Sequence, residues 1–255
     1  MFSLPLFKQS VKSNSVLWGA LTAVMSVLCL QFAALDMTQP LLFTIFYGMM
    51  TTILPGIYVL ITANKLLASQ VDRGSMAYVL STPTKRNVVT FTQFTYLASS
   101  VTAMFVIQTV VHIIVNTVKP LTLATALGNP MLPIAGDLTT EMILKINLSA
   151  LVVNLAMAAV CFMFSGIFNS SKNSLGLSGS FVGVTILANM LAMFGSLGVK
   201  GLDKFKYLTI CSFYDYNSVL HSSNDWMAKC IAPLIIAAVA FAIGSTIFRK
   251  KDLPL

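Results

Sequence analysis

The side chains most able to do chemistry in this sequence are a few polar ones inside long apolar stretches. Gln108, His112 and Asn116 follow one another at intervals of four residues, so on a helix they share one face. Asn147 and Asn154 lie seven residues apart and form a second aligned pair. Polar groups are costly to expose to lipid, so all five are expected to face inward. They line a path across the membrane or an interface with a second chain, or they form hydrogen bonds between neighbouring helices.

Common catalytic and metal-binding patterns are missing from the sequence. It contains no Gly-x-x-x-x-Gly-Lys-Ser/Thr for cradling ATP phosphates, no His-Glu-x-x-His and no Gly-x-Ser-x-Gly. His112 and His221 form no recognisable metal pair, and the four cysteines follow no metal-binding spacing. Cys211 and Cys230 are placed to meet outside the membrane, although unpaired thiols are favoured. We therefore expect a chain that is not an enzyme and binds no metal or cofactor itself.

The elements that position these residues follow from composition. Of 255 residues, 56% are hydrophobic and only 9% are charged, against roughly 25% charged in soluble domains. A membrane span needs about 20 mostly apolar residues, and in lipid a helix satisfies its own backbone hydrogen bonds. The sequence therefore predicts an all-α integral membrane protein, residues 1–255 forming one transmembrane domain. The six predicted spans are residues 16–35, 41–63, 90–116, 146–168, 175–197 and 230–248.

The distribution of basic residues predicts the orientation. If the N-terminus is cytoplasmic, ten of the sixteen Lys and Arg residues flank the inner ends of the spans and six flank the outer ends. Both termini of this multi-pass protein are therefore expected in the cytoplasm, with the chain in the cell membrane. The net charge of +8 is interpreted as contact with anionic membrane lipids, not with nucleic acid.

The connection between the second and third predicted spans has a pattern of its own. Met76, Val79 and Leu80 recur at helical spacing and form an apolar stripe. A short helix can begin after Gly74, and Pro83 ends it. Such a helix either packs its stripe into a groove on a partner or lies on the bilayer surface. The residues alone leave both uses open.

Two further patterns bear on how the spans pack. The N-terminal segment interleaves Lys8 and Lys12 with apolar residues, which favours a short amphipathic helix on the inner surface before the chain turns into the membrane; a frayed terminus is the alternative. Gly179 and Gly183 form Gly-x-x-x-Gly, with Gly176 just before, and let another helix approach closely. That helix belongs to this chain or to a second one.

Three segments together resemble one family. The run Asp72-Arg-Gly-Ser followed by Val79-Leu-Ser-Thr-Pro-Thr-Lys-Arg86 resembles the loop of ABC-type-2 permeases in which an acidic residue and Gly-Thr or Gly-Ser lead to Leu-Leu-Ser-x-Pro-x-Ser-Arg. Tyr207-Leu-Thr-Ile-Cys-Ser-Phe-Tyr-Asp-Tyr216 is similar to the family's segment between spans five and six, and Phe248-Arg-Lys-Lys-Asp-Leu-Pro254 to its closing motif. Ala77 departs from the Glu that many members carry, and Ile210-Cys211 from their Pro-Phe.

The resemblance implies a type V exporter-like permease, in which a cytoplasmic coupling helix between spans two and three docks on a separate nucleotide-binding subunit. That ATPase binds ATP and Mg, and a second permease chain completes a homo- or heterodimer. The implied cargo is hydrophobic or amphipathic: a drug, lipid or peptide. The outer segment before the last span is implied to dip into the membrane as a broken helical hairpin. The residues implied to couple to the ATPase are Asp72, Arg73, Gly74, Ser75, Met76, Tyr78, Val79, Leu80, Ser81 and Pro83.

One alternative stays open, a secondary transporter or channel that works without ATP. Proteins of that kind typically carry paired acids or bases at mid-membrane for ion coupling. The six predicted spans contain no Asp, Glu, Lys or Arg, which favours the ATP-driven interpretation.

Overall fold

The computed structural model describes residues 2–35, 39–81, 84–122, 136–196, 199, 201–220 and 225–252. These residues form helices and contain no β-strand, only an isolated bridge between Thr122 and Asp137. Six helical segments are long and apolar enough to cross a membrane, so the predicted six-span, all-α fold is confirmed. The α-helices are α1 (Leu4–Ala34), α2 (Thr51–Leu66), α3 (Ala68–Asp72), α4 (Ser75–Ser81), α5 (Arg86–Val118), α6 (Thr140–Ile167), α7 (Ser171–Ser196), α8 (Tyr216–Leu220) and α9 (Asp225–Lys250).

The second span is not a regular α-helix along its whole length. It opens with a 3-10 turn (Gln39–Leu41) and a nine-residue π-helix (Leu42–Met50), which we call the π segment, and continues through α2 and α3. Two more 3-10 turns, Leu202–Leu208 and Ile210–Phe213, precede α8 and connect α7 with α9.

The first helix differs from the sequence expectation. Instead of a separate surface helix followed by a turn, α1 runs unbroken from Leu4, about 46 Å at 1.5 Å per residue. Its start packs alongside α5: the Ser3 amide donates to Thr92 Oγ1 at 3.0 Å, and Ser10 Oγ donates to Gln93 Oε1 at 2.7 Å. These two bonds hold the start of α1 along α5, so the segment continues the first long helix and is not a separate surface helix.

Helices α6 and α9 cross closely at two glycines. A Cβ built on Gly166 would stand 2.8 Å from the carbonyl oxygen of Gly244, and one on Gly244 would stand 2.7 Å from Met163 Cα. Only glycine allows the two backbones to come this close. The pair predicted for close approach, Gly179 and Gly183 on α7, has nothing of the described chain within 4 Å of a built Cβ. No described helix of this chain therefore covers that glycine face.

The start of α1, α4, the start of α5 and the end of α9 meet at one end of the bundle, which we call the terminal end. Arg86 Nη1 donates to the Lys251 carbonyl oxygen at 2.8 Å, and Lys251 Nζ donates to the Phe168 carbonyl oxygen at 3.1 Å. These bonds join α5, the α6–α7 turn and the C-terminal segment.

At the opposite end, the 3-10 turns and α8 pack on the spans. Thr209 Oγ1 donates to the Thr185 carbonyl oxygen at 3.1 Å, and the Asp215 carboxylate pairs with Lys229 at the start of α9. Burial by itself raises the pKa of Asp215, but hydrogen bonds from Lys229 and Ser218 outweigh it and hold that pKa below its usual value. Cys211 and Cys230 are both free thiols.

Candidate functional site

The candidate coupling segment is a turn and a short helix at the terminal end. Gly74 has φ of +70°, a left-handed conformation that glycine adopts without strain, and it separates α3 from α4. The Ser75 hydroxyl donates to the Gln70 carbonyl oxygen at 3.1 Å and fastens the turn. The helix begins at Ser75, as the sequence predicts, and is described to Ser81. Pro83 lies outside the described residues.

The base of this segment is fixed to α7. The Ser171 amide, at the start of α7, donates to Asp72 Oδ2 at 3.2 Å, and Asn64 Nδ2 donates to Ser171 Oγ at 2.8 Å. A carboxylate is favourable at a helix N-terminus because the first amides have no helical partner and carry partial positive charge. Asp72 therefore ties the coupling segment to the α6–α7 corner of the bundle.

The apolar stripe of α4 faces its own bundle. Met76 is fully buried in the core, and Val79 and Leu80 are half-buried against it. The outward face carries Arg73, Ser75 and Tyr78, whose side chain is 81% exposed. A partner approaching the terminal end thus meets Tyr78 and its polar neighbours, while the stripe anchors α4 to this chain.

A groove runs beside that outward face. It encloses about 570 Å³ between the start of α1 and α4. Lys8 and Lys12 on α1 and Arg73 in the turn between α3 and α4 are exposed, and they give this end of the bundle a positive charge. The residues that line the groove are Ser3, Pro5, Leu6, Gln9, Ser75, Tyr78, Val79 and Thr84.

Three of the five predicted polar residues converge on one tyrosine inside the bundle. His112 Nδ1 lies 2.5 Å from the Tyr47 hydroxyl, and Asn147 Nδ2 donates to the same hydroxyl at 3.1 Å. A hydroxyl can donate one hydrogen bond and accept two, so the direction of the Tyr47–His112 bond is set by the imidazole tautomer. Gln108 sits beside them, its amide 3.7 Å from Cys29 Sγ. All of these side chains are buried, and Asn147 also lines a groove of about 260 Å³ between α5 and α6.

The other two predicted residues, Asn116 and Asn154, bond to backbone groups elsewhere in the bundle. Asn116 Nδ2 donates to the Leu138 carbonyl oxygen at 2.8 Å, and its Oδ1 accepts from the Leu121 amide at 3.2 Å. It therefore joins the segment after α5 to the segment before α6. Asn154 Nδ2 donates to the Thr51 carbonyl oxygen at 3.0 Å, so it binds the start of α2 to α6.

The π segment carries part of this polar network. In a π-helix the hydrogen bonds run to the fifth residue, and such segments recur at functional sites. Tyr47 lies within it, and Asn189 from α7 donates to the Gly48 carbonyl oxygen at 2.7 Å. Sequence reasoning missed the π segment, Tyr47 and Asn189. Only Asn189 carried a signal, as a polar residue within a predicted span.

The six long apolar helices are those of a multi-pass membrane protein. A family model described as ABC-2 family transporter protein matches residues 5–253. The chain belongs to that family, which confirms the predicted resemblance. Its members are the membrane permease components of ABC transporters and work with an ATPase partner. A search of curated proteins finds no match.

Proposed function

We propose that this chain exports a hydrophobic or amphipathic substrate, such as a drug, lipid or peptide, and is driven by ATP hydrolysis on a separate nucleotide-binding subunit. The observation that carries the proposal is the exposed face of α4 with its stripe buried in the same chain. A helix held in this way moves with the bundle and still offers a surface to a partner.

The contacts of α4 support a mechanical role. Met76 fixes the helix to the core, and Asp72 ties its base to the N-terminus of α7. A displacement of α4 is therefore passed through the Gly74 turn to α3 and α2, and through Asp72 to α7. Rigid-body movement of packed helices is a common way to carry such a displacement.

The charge of the terminal end supports the proposed orientation and partner surface. Lys8, Lys12 and Arg73 are exposed there, in keeping with a cytoplasmic side and with an acidic patch on the ATPase. ATP and Mg belong to that subunit in this proposal.

A second permease chain completes the proposed transporter, as a homodimer or a heterodimer. Gln108, His112, Asn147 and Asn154 are buried within one chain, which supports a cargo path between two chains. The uncovered glycine face of α7 supports a close approach by that second chain, because no described helix of the same chain fills it.

Co-purification with an ABC ATPase subunit tests the coupling surface. Tyr78→Ala removes the most exposed side chain of α4 and is expected to lower recovery of the ATPase at least fivefold, with unchanged amounts of permease in the membrane. Tyr207→Ala is the matched control, because Tyr207 is also 81% exposed but lies between α7 and α9, away from the terminal end.

Three outcomes have distinct meanings. Loss of the complex in Tyr78→Ala alone supports the coupling surface. Equal recovery with both variants shows that α4 is not the docking surface. Transport by the purified permease without any ATPase would refute the proposed function and favour an ATP-independent transporter or channel.

A further inference from the structure

A second groove at the terminal end lies on the opposite side of α5 from α1. It runs between the start of α5 and the end of α9 and encloses about 340 Å³. Phe91 and Phe241 lie deeper in it, while Asn87, Thr246 and Arg249 stand nearer the helix ends. Arg249 and Phe241 are eight residues apart on α9, about 12 Å along the helix axis. The groove thus changes from polar to apolar over the distance that separates a lipid headgroup from the first part of its acyl chains.

The floor of this groove is built from packed aromatic rings. Phe241 stacks on Phe94 with ring centroids 4.3 Å apart, and Phe94 packs edge-on against Phe162 at 5.4 Å. Phe91 is 47% exposed beside them. The floor is therefore held in place by the core of the bundle, and it keeps its shape without a ligand.

The mouth of the groove is strongly positive. Arg249 lines the mouth and is exposed. Its neighbours in sequence, Lys250 and Lys251, are also basic, and so are Lys85 and Arg86 at the start of α5; Asp252 is the one acidic residue of the described C-terminal segment 249–252. Arg86 donates to the carbonyl oxygens of Arg249 and Lys251, so its guanidinium group is fixed beside the groove.

The positive charges of Arg86 and Lys251 repel each other. Burial, and next the neighbouring Arg86 charge, lowers the pKa of the Lys251 amine to about 8. Lys251 is held by the Phe168 carbonyl oxygen and lies 5.0 Å from the centre of the Phe248 ring. A bound anion would lower the repulsion and favour the protonated amine.

We propose that the groove between α5 and α9 binds one anionic phospholipid, with its phosphate at Arg249 and Asn87 and an acyl chain along Phe91 and Phe241. Charge complementarity selects the anionic headgroup, and the stacked aromatic floor selects a chain-bearing lipid over a free anion. The site is formed by the membrane-spanning bundle alone, so its test does not depend on whether the chain binds an ATPase.

Binding is tested on the full chain in detergent, by native mass spectrometry with added phosphatidylglycerol or phosphatidylcholine. The wild type is expected to retain phosphatidylglycerol in preference. Arg249→Gln is expected to weaken that binding about fivefold, the contribution of one basic residue close to an anionic lipid surface. Lys8→Gln is the matched control, because Lys8 is an exposed cation at the same end of the bundle but on α1. Equal losses in the two variants would mean diffuse surface charge and would overturn the site.

Two further experiments distinguish binding of a lipid from binding of a free anion, and the second uses the wild-type protein, so it does not depend on the folding of a variant. Phe91→Ala is expected to weaken the binding of long-chain phosphatidylglycerol and to leave the binding of the dihexanoyl form unchanged. Equal effects on the two lipids would overturn the acyl-chain contact. Bound phosphatidylglycerol is also expected to slow acetylation of Lys251 at pH 8 in the wild type, because it raises the protonated fraction of the amine. Inorganic phosphate that slows acetylation equally would show an anion site with no lipid selectivity.

Discussion

Removing one hydroxyl group tests the buried polar cluster directly. Tyr47→Phe keeps the ring in place and deletes the group that joins His112 to Asn147. Asn147 retains a second acceptor, the Ile143 carbonyl oxygen at 2.8 Å, so the larger effect falls on His112 Nδ1. An interhelical hydrogen bond within a bilayer contributes about 0.6 kcal/mol on average, and a buried group left unpaired costs about 1–3 kcal/mol. We therefore expect a loss of about 1–2 kcal/mol in unfolding free energy.

The assay is reversible unfolding in mixed micelles, followed by circular dichroism. Tyr78→Phe is the control and is expected to change stability by less than about 0.5 kcal/mol, because its side chain is exposed. The double variant Tyr47→Phe/His112→Leu completes a thermodynamic cycle. Once the hydroxyl is gone, His112→Leu is expected to cost about 1 kcal/mol less than it does in the wild type.

Two results would refute this reasoning. A loss below about 0.5 kcal/mol in Tyr47→Phe would show that the hydroxyl contributes no net hydrogen bond. Additive losses in the double variant would show that the hydroxyl and the imidazole act independently. Either result would show that the Tyr47 hydroxyl does not tie the π segment to α5 and α6.

Two other positions give sharp expectations. Gly244→Leu is expected to abolish the monodisperse peak in size-exclusion chromatography, because even a Cβ there would stand 2.7 Å from Met163 Cα. Gly183→Leu is the control and is expected to preserve the fold, because nothing of the described chain lies within 4 Å of a Cβ built there. Similar elution profiles for the two variants would contradict the α6–α9 crossing. The lowered pKa of Asp215 means that its pairing with Lys229 stabilises the folded state above the ordinary carboxyl value of 3.8 and is lost as the pH falls through the lower folded value. The protection factors of residues 202–220, which are exchange rates corrected for intrinsic exchange at the same pH, are therefore expected to fall on acidification. Asp215→Asn is expected to remove that dependence. The same pH profile in the variant would exclude the ion pair as its cause.

The sequence was sufficient for the spans because span length and apolar composition are local properties of a chain. It was also sufficient for the start of α4, where Gly74 and Ser75 set the turn. It was insufficient for contacts between spans, because these depend on which helices are neighbours. Gly179 and Gly183 form the recognisable motif, yet the close crossing uses Gly166 and Gly244, which stand on different helices and form no pattern in the sequence.

The same reason explains the buried polar residues. Their spacing predicts a shared face, but a helical face does not say what stands opposite it. Here the opposite partner is an aromatic residue, Tyr47, and a backbone freed by the π segment, neither of which hydropathy can indicate. The direction of the α4 stripe was likewise undetermined, because an apolar stripe packs equally well on its own bundle or on another chain.

The polar contacts of the spans gather on the second span, and this bears on how a permease of this kind moves. His112 from α5, Asn154 from α6 and Asn189 from α7 all bond to residues 47–51, where the π segment meets α2. The same span ends in α3, and the Gly74 turn connects it to α4. In the proposed function, a pull on α4 is therefore opposed by hydrogen bonds to three different helices. Because each of these bonds is modest in energy, they can exchange partners as a group, so the second span is the element whose position an ATPase at α4 would reset.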